Sequence, residues 1–292
     1  MLPNDSAVNS GPLTVGSMTL IFSAAEVNKF SHSYYLVLMK NNIALVTGAS
    51  SGIGRACALT VAKMGYDLIA TGRRAERLEE LRLELPKGVR FLPLVFDVRD
   101  RKDVDRLLTH LPSDWASIDV LINNAGNAHG LDPIQTGNVD DWDAMIDINV
   151  KGLLYVSKAI IPGMTERNSG HIINIGSIAG KEVYPNGNVY CASKYAVDAL
   201  TNGMRMDLNP FGIKVMGIHP GLVETEFSLV RFKGDEKRAG TVYQGYSPLL
   251  AQDIADIVEF ALTRPPHVVL ADVVVLPTAQ ASATVIKKKL PQ

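Results

Sequence analysis

Tyr190 and Lys194 stand four residues apart in a stretch, residues 190–208, whose apolar side chains recur at spacings of three and four. That spacing puts the phenol and the ammonium on one helix face. A free tyrosine has a pKa of about 10 and is a poor proton donor or acceptor at neutral pH, unless a nearby cation favours the phenolate. Ser177 follows a strand-like run, residues 171–175, and its hydroxyl can hold a substrate oxygen while Tyr190 transfers a proton. With a hydride carrier added, these are the reagents for reducing a carbonyl. An isolated Tyr-x-x-x-Lys is common on surface helices, so the pair gains meaning only in combination.

The carrier's site is legible near the start of the regular pattern. Thr47-Gly48-Ala49-Ser50-Ser51-Gly52-Ile53-Gly54 joins the strand-like run 43–46 to the helical stretch 55–64. Its glycines permit a tight turn and close approach to a pyrophosphate, and the helix start supplies unpaired N–H groups and partial positive charge. Gly48, Ser50, Ser51, Gly52, Ile53 and Gly54 are therefore candidate cofactor contacts. A purely structural turn would also select glycines, but the first strand-to-helix turn of an alternating chain is where such folds bind nucleotides. The second strand-like run, 68–71, ends in Gly72-Arg73-Arg74, where an NAD-binding protein usually carries an acid. Guanidinium groups match a phosphate in charge and bidentate geometry, so Arg73 and Arg74 read as a 2′-phosphate site and NADP(H) as the cofactor. The alternative is the solvated first turn of the helix at 75–85.

These groups need a scaffold. Apolar or β-branched runs at 43–46, 68–71, 89–96, 120–122, 171–175 and 214–218 alternate with amphipathic stretches at 55–64, 75–85, 140–164 and 190–208. Continuous apolar strands separated by helices predict an α/β fold: a single doubly wound parallel sheet of Rossmann type with helices on both faces. Residues 39–292 read as one domain, closing with a strand at 268–275 and a solvated tail at Lys287-Lys288-Lys289. Residues 1–38 show no sustained period and no signal-peptide pattern; they read as a disordered or non-native extension, with Met39 as the natural start.

Composition excludes several classes. A hydrophobic share of 47% over 292 residues supports a large core and rules out disorder as the dominant state. Balanced charges, 29 Lys+Arg against 30 Asp+Glu, give none of the positive field of a nucleic-acid or anionic-membrane binder. No apolar run reaches the roughly 20 residues of a membrane span. Cys57 and Cys191 are too few for a disulfide framework and read as buried thiols in a soluble, cytoplasmic protein. The histidines show no metal-ligand spacing, so no metal is expected.

Taken together, Thr47-Gly48-x-x-x-Gly52-x-Gly54, Asn123-Asn124-Ala125-Gly126, Asn149, Ser177, Tyr190-x-x-x-Lys194 and Pro220-Gly221 resemble, in order and spacing, the short-chain dehydrogenase/reductase superfamily. The resemblance spans residues 42–285. It implies Tyr190 as catalytic acid/base, Lys194 lowering its pKa and binding the nicotinamide ribose, and Ser177 orienting the carbonyl. Asn149 would hold a relay water, and Asn124 would pack under the cofactor. Asp97 and Val98 would flank the adenine, while Pro220, Gly221, Val223 and Thr225 would line the nicotinamide side. A homotetramer is the implied assembly.

A narrower resemblance, through residues 71–74, 174–177 and 221–235, is to NADP-dependent serine/3-hydroxy acid dehydrogenases. It implies a small-molecule substrate with a 3-hydroxyl, such as L-serine, L-allo-threonine, 3-hydroxyisobutyrate or 3-hydroxypropionate, or the corresponding semialdehyde or ketone. Such a substrate carries a carboxylate, and Arg231 and Lys233, in the segment that would cover the site, are candidate clamps. A solvated basic loop is the equal alternative for both. Asn127 and His129 stand where this group is expected to be more apolar. The rival readings are a reductase of 3-oxoacyl thioesters or bulkier ketones and a non-catalytic NADP-sensing regulator; the complete Asn149, Ser177, Tyr190 and Lys194 set disfavours the regulator.

Overall fold

A computed structural model describes residues 42–289 together with two short strands, Leu13–Val15 and Met18–Leu20, which pair antiparallel. Those strands fall where no fold element is expected, because runs of three residues are too short to display a strand period. The rest of the reading of residues 1–38, including a start at Met39, lies outside the described residues.

From Asn42 onward, seven parallel strands form one sheet: β1 (Ile43–Val46), β2 (Asp67–Gly72), β3 (Phe91–Val95), β4 (Ile118–Asn123), β5 (His171–Ile175), β6 (Lys214–Pro220) and β7 (Asp272–Val275). Their spatial order is β3-β2-β1-β4-β5-β6-β7. β1 shows why both faces must be covered. Ala44 and Val46 belong to one apolar core and Ile43 and Leu45 to the other, and all four are fully buried. On the first face lie α1 (Gly52–Lys63) and α9 (Ala251–Leu262), which contribute Cys57, Val61, Ile254 and Val258. On the second lie α3 (Arg101–Leu108) and α5 (Leu153–Arg167), with Val104, Leu108, Val156 and Met164. The chain runs outward from β1 to β2 and β3, then returns to build β4 on β1's other side. Such a reversal opens a crevice beyond the strands' carboxyl ends, where open α/β sheets hold ligands.

Several elements differ from the sequence expectation. The single helix expected at 140–164 is α4 (Val139–Ile146), a π-helical turn at Asp147–Gly152, and α5. A π turn inserts one residue into the helical ladder and leaves the apolar periodicity around it almost intact. α3 is too polar to show as periodic; it is fixed by Asp100, whose carboxylate accepts hydrogen bonds from the N–H groups of Lys102 and Asp103. The final strand is shorter than 268–275. The lysines of the tail are exposed, as expected, while its backbone is tied down, with Lys287 N–H donating to the Ala279 carbonyl (2.8 Å) and Lys289 N–H to the Gly245 carbonyl (2.7 Å).

The carboxyl ends of β4 and β5 are joined beneath the crevice by a buried polar chain. Asn123 Nδ2 donates to Ser157 Oγ (3.0 Å) and to Asn174 Oδ1 (2.9 Å), and Asn174 Nδ2 donates to Thr201 Oγ1 (2.9 Å). Asn174 is fully buried, so truncating it takes one hydrogen bond each from Asn123 and Thr201 as well as opening a void. Asn174→Ala is expected to lower stability by about 2–4 kcal/mol in urea titration; a loss under about 1 kcal/mol would show that the chain is not what holds these strand ends.

Candidate active site

A cleft of about 610 Å³ opens over the carboxyl ends of β1, β4, β5 and β6. At its β1 end the glycine loop is pinned from beneath. Thr47 Oγ1 accepts from the N–H groups of Asn124 and Ala125 (3.0 Å each), and Asn124 Nδ2 donates to the carbonyls of Thr47 (2.9 Å) and Gly48 (3.3 Å). Gly48 and Gly52 adopt left-handed φ values of 66° and 52°. At Gly54 a Cβ would fall 2.3 Å from Asn124 Nδ2 and 2.4 Å from the Gly48 carbonyl, so only glycine lets the loop fold this tightly onto α1. Asn124 thus works from below the loop while also bordering the cleft.

At the end of β2, Arg73 and Arg74 border the same cleft. Arg74 Nη2 donates to Glu226 Oε2 (2.9 Å) and Ser50 Oγ (3.4 Å); Arg73 lies 3.8 Å from Asp97 and is more than half exposed. Burial opposes the charge on Asp97, yet hydrogen bonds from Arg99 and the nearby Arg73 guanidinium outweigh it and hold the carboxyl below its usual range. Ser50, Ser51, Ile53, Val98, Pro220, Gly221, Val223 and Thr225 all border the cleft. A left-handed glycine cradle with two guanidinium groups beside it suits a phosphorylated dinucleotide in shape and charge.

The candidate reacting groups meet at the other end. α6 (Asn188–Leu208) carries Tyr190 and Lys194, both buried, and Ser177 follows β5. Burial pushes the Tyr190 phenol above its ordinary pKa, reinforced by Tyr184, while a hydrogen bond with Ser177 and the Arg231 guanidinium act the other way. Burial also lowers Lys194, to about 8; its Nζ donates to the Ile175 carbonyl (3.0 Å). Asn149 sits in the π turn and does not border the cleft. Its amide is committed to protein groups: Oδ1 accepts from Asn127 N–H (2.9 Å), and Nδ2 donates to the Asn127 carbonyl (2.8 Å) and Ser193 Oγ (2.9 Å). Ser193 in turn donates to the Tyr190 carbonyl (2.7 Å). Through these bonds the side chain ties the 127 loop to α6.

Of the two clamp candidates, only Arg231, at the end of α7 (Phe227–Arg231), borders the cleft. Its guanidinium lies 5.6 Å from the ring centres of both Tyr184 and Tyr190 and donates to the Gly130 carbonyl (3.1 Å). Among the described residues no carboxylate is within ion-pair distance of it. Lys233 sits at φ 53° in the following turn, away from the cleft, and pairs with Asp141 (2.9 Å). Sequence reasoning missed Tyr184, Phe227 (ring centre 5.7 Å from that of Tyr190), Gln280 and Lys288, which also border the cleft. Cys57 and Cys191 are buried thiols, and burial pushes Cys57 up to about 12.

The family model described as short chain dehydrogenase matches residues 42–235. The chain belongs to the short-chain dehydrogenases. It is 45% identical over 242 residues to the NADP-dependent 3-hydroxy acid dehydrogenase YdfG of Escherichia coli, covering 82% of this chain and 97% of that one. It is 44% identical over 248 residues to the NADP-dependent 3-hydroxy acid dehydrogenase of Schizosaccharomyces pombe, covering 84% and 96%. Among solved structures, the closed form of a serine dehydrogenase complexed with NADP+ superimposes with a TM-score of 0.80 at 43% identity, covering 85% of this chain and all of that one. The serine dehydrogenase from Escherichia coli gives 0.71 at 40% identity, covering 82% and 99%. Among the described residues of this short-chain dehydrogenase, no helix is long and apolar enough to cross a membrane.

The buried Lys194 makes a measurable claim on stability. A folded pKa of about 8 against an ordinary 10.5 means the folded state resists the charged form. That cost is full below pH 8 and fades between 8 and 10.5. Allowing for the lost bond to Ile175, Lys194→Met is expected to stabilise the protein by about 2–3 kcal/mol at pH 7, to gain progressively less above pH 8, and to abolish turnover. Urea titrations at pH 7 and pH 10 check this; equal or lower stability at pH 7 would contradict it.

Proposed function

We propose that this short-chain dehydrogenase is an NADP-dependent oxidoreductase that interconverts the 3-hydroxyl of small hydroxy acids, L-serine and 3-hydroxypropionate among them, with the corresponding semialdehyde or ketone. The observation that carries the substrate class is Arg231: a guanidinium with no carboxylate partner among the described residues, 5.6 Å from the ring of the proton-transferring tyrosine. A carboxylate two carbons from the reacting hydroxyl would be held there as the hydroxyl meets Tyr190 and Ser177. The names of the relatives, 3-hydroxy acid and serine dehydrogenases, support the same class.

NADP(H) would be held by the loop of Gly48, Ser50, Ser51, Gly52 and Ile53, with Arg73 and Arg74 at its 2′-phosphate; when bound it supplies or accepts the hydride. The remaining steps belong to the chain's own residues. Ser177 Oγ holds the substrate oxygen in line with the Tyr190 phenol. In oxidation Tyr190 takes the hydroxyl proton as phenolate, and in reduction it donates one as phenol. Lys194 and Arg231 are the cations that favour the phenolate against burial. Tyr184 and Phe227, packed beside Tyr190, keep water from that proton. The working form is taken as a cytoplasmic homotetramer, an assembly measurable by sedimentation.

NADPH formation should appear with L-serine, L-allo-threonine, 3-hydroxyisobutyrate or 3-hydroxypropionate, and NADP should outperform NAD by about a hundredfold or more in kcat/KM. Arg231→Met is expected to raise the KM for these acids at least about tenfold while leaving the KM of a neutral short-chain alcohol within about threefold, and to lower kcat for both as the Tyr190 phenolate loses one of its cations. An unchanged KM for the acids removes Arg231 from the clamp. Consumption of NADPH with bulky ketones or acyl thioesters alone would replace the substrate class.

A further inference from the structure

None of Lys181, Asp198, His219 and Asp272 borders the cleft, yet together they form a closed cluster behind Ser177. Lys181 Nζ donates to Asp198 Oδ1 (2.8 Å) and Asp272 Oδ2 (2.7 Å). His219 Nε2 is 2.7 Å from Asp272 Oδ1 and 3.6 Å from Asp198 Oδ1, with the imidazole almost wholly buried. The two carboxylates and the imidazole are spaced like cation ligands, but the Lys181 ammonium already occupies the position between the carboxylates.

What matters is where the four residues come from. Lys181 closes the single 3-10 turn, Ile178–Gly180, that starts from Ser177. Asp198 lies on α6 one helical turn beyond Lys194. His219 is on β6 next to Pro220, and Asp272 opens β7. A second hydrogen bond fastens the same turn to α6, from Tyr195 Oη to the Lys181 carbonyl (2.6 Å). The imidazole lies so close under Gly176 that a Cβ there would come within 2.4 Å of Nδ1, so its position fixes the backbone immediately before Ser177.

We propose that this cluster is a positioning clasp: Lys181, held by Asp198 and Asp272, and His219, packed between Asp272 and Gly176, set the Ser177 turn against α6 and so fix the Ser177 hydroxyl on the Tyr190 phenol. The clasp rests on the reading of Ser177 and Tyr190 given under the proposed function. Removing the ammonium leaves two facing carboxylates whose repulsion loosens the turn. A displacement of the order of 1 Å is enough to cost turnover heavily without touching the cofactor loop or Arg231.

The test compares Lys181→Met and Lys181→Arg with the wild type on whichever alcohol the wild type oxidises. Lys181→Met is expected to lose about tenfold or more in kcat, with the KM for the alcohol and the Kd for NADPH within about twofold, while Lys181→Arg recovers most of the loss. Asp272→Asn, on the edge strand and half-exposed, is the second variant should Lys181→Met not fold, and is expected to lose kcat in the same selective way. Unchanged kcat in these variants, or kcat falling only in step with NADPH-binding protein, overturns the clasp while leaving the function intact. A wild type that oxidises no alcohol overturns the reading of the site and the clasp with it.

Discussion

An ammonium kept out of water at the foot of the cleft is the constraint around which the site is built. Lys194 is buried, and its charge is opposed by that burial; the Ile175 carbonyl is the hydrogen-bond acceptor that meets it. The neighbouring backbone must come close to leave it room. At Gly126 a Cβ would lie 3.5 Å from Lys194 Nζ and 2.8 Å from Asn149 Oδ1, and at Gly180 it would lie 2.6 Å from the Lys194 carbonyl. The same burial raises the Tyr190 phenol, against which the Arg231 guanidinium and a hydrogen bond with Ser177 act. A fold selected for stability alone would replace such a lysine by a hydrocarbon.

Around that pair, polar side chains are used to fasten loops to strands rather than to touch substrate. Asn124 and Thr47 fasten the glycine loop to the end of β4, Asn149 fastens the 127 loop to α6 through Ser193, and Asn123 with Asn174 joins the strand ends below. Each is paired in a low-dielectric setting, where a satisfied network is stiff and a broken one is expensive. The cleft inherits its rigidity from these links. Arg74 differs, since its partner Glu226 comes from the segment leading to Arg231, which places the two ends of the cleft in electrostatic contact.

Much of this was legible in the sequence because the strands are short, apolar and buried on both faces, and the chemistry sits at their ends. The glycine loop, Arg73 and Arg74, Ser177, Tyr190 and Lys194 all come together in one cleft as their spacing implied. The π turn that carries Asn149 was not legible, because it leaves the helical periodicity unmarked. Which of Arg231 and Lys233 faces the cleft was not legible, because the direction of a side chain in a turn with positive φ leaves no sequence pattern. Tyr184, Lys288 and the Lys181 cluster depend on contacts between residues tens of positions apart, and no local pattern announces them. The tail is such a case: its three lysines are exposed as their run implies, but the two backbone hydrogen bonds that tie it down carry no sequence signal.

The account's central claim is that proton transfer runs through the Tyr190 phenol while the cofactor is held by other residues. Replacing Tyr190 with Phe and measuring NADPH affinity and kcat on the same preparation tests it most directly. The account predicts a Kd for NADPH within about twofold of the wild type and a kcat reduced by about a thousandfold or more. A variant that binds NADPH normally and keeps kcat within about tenfold of the wild type would contradict it.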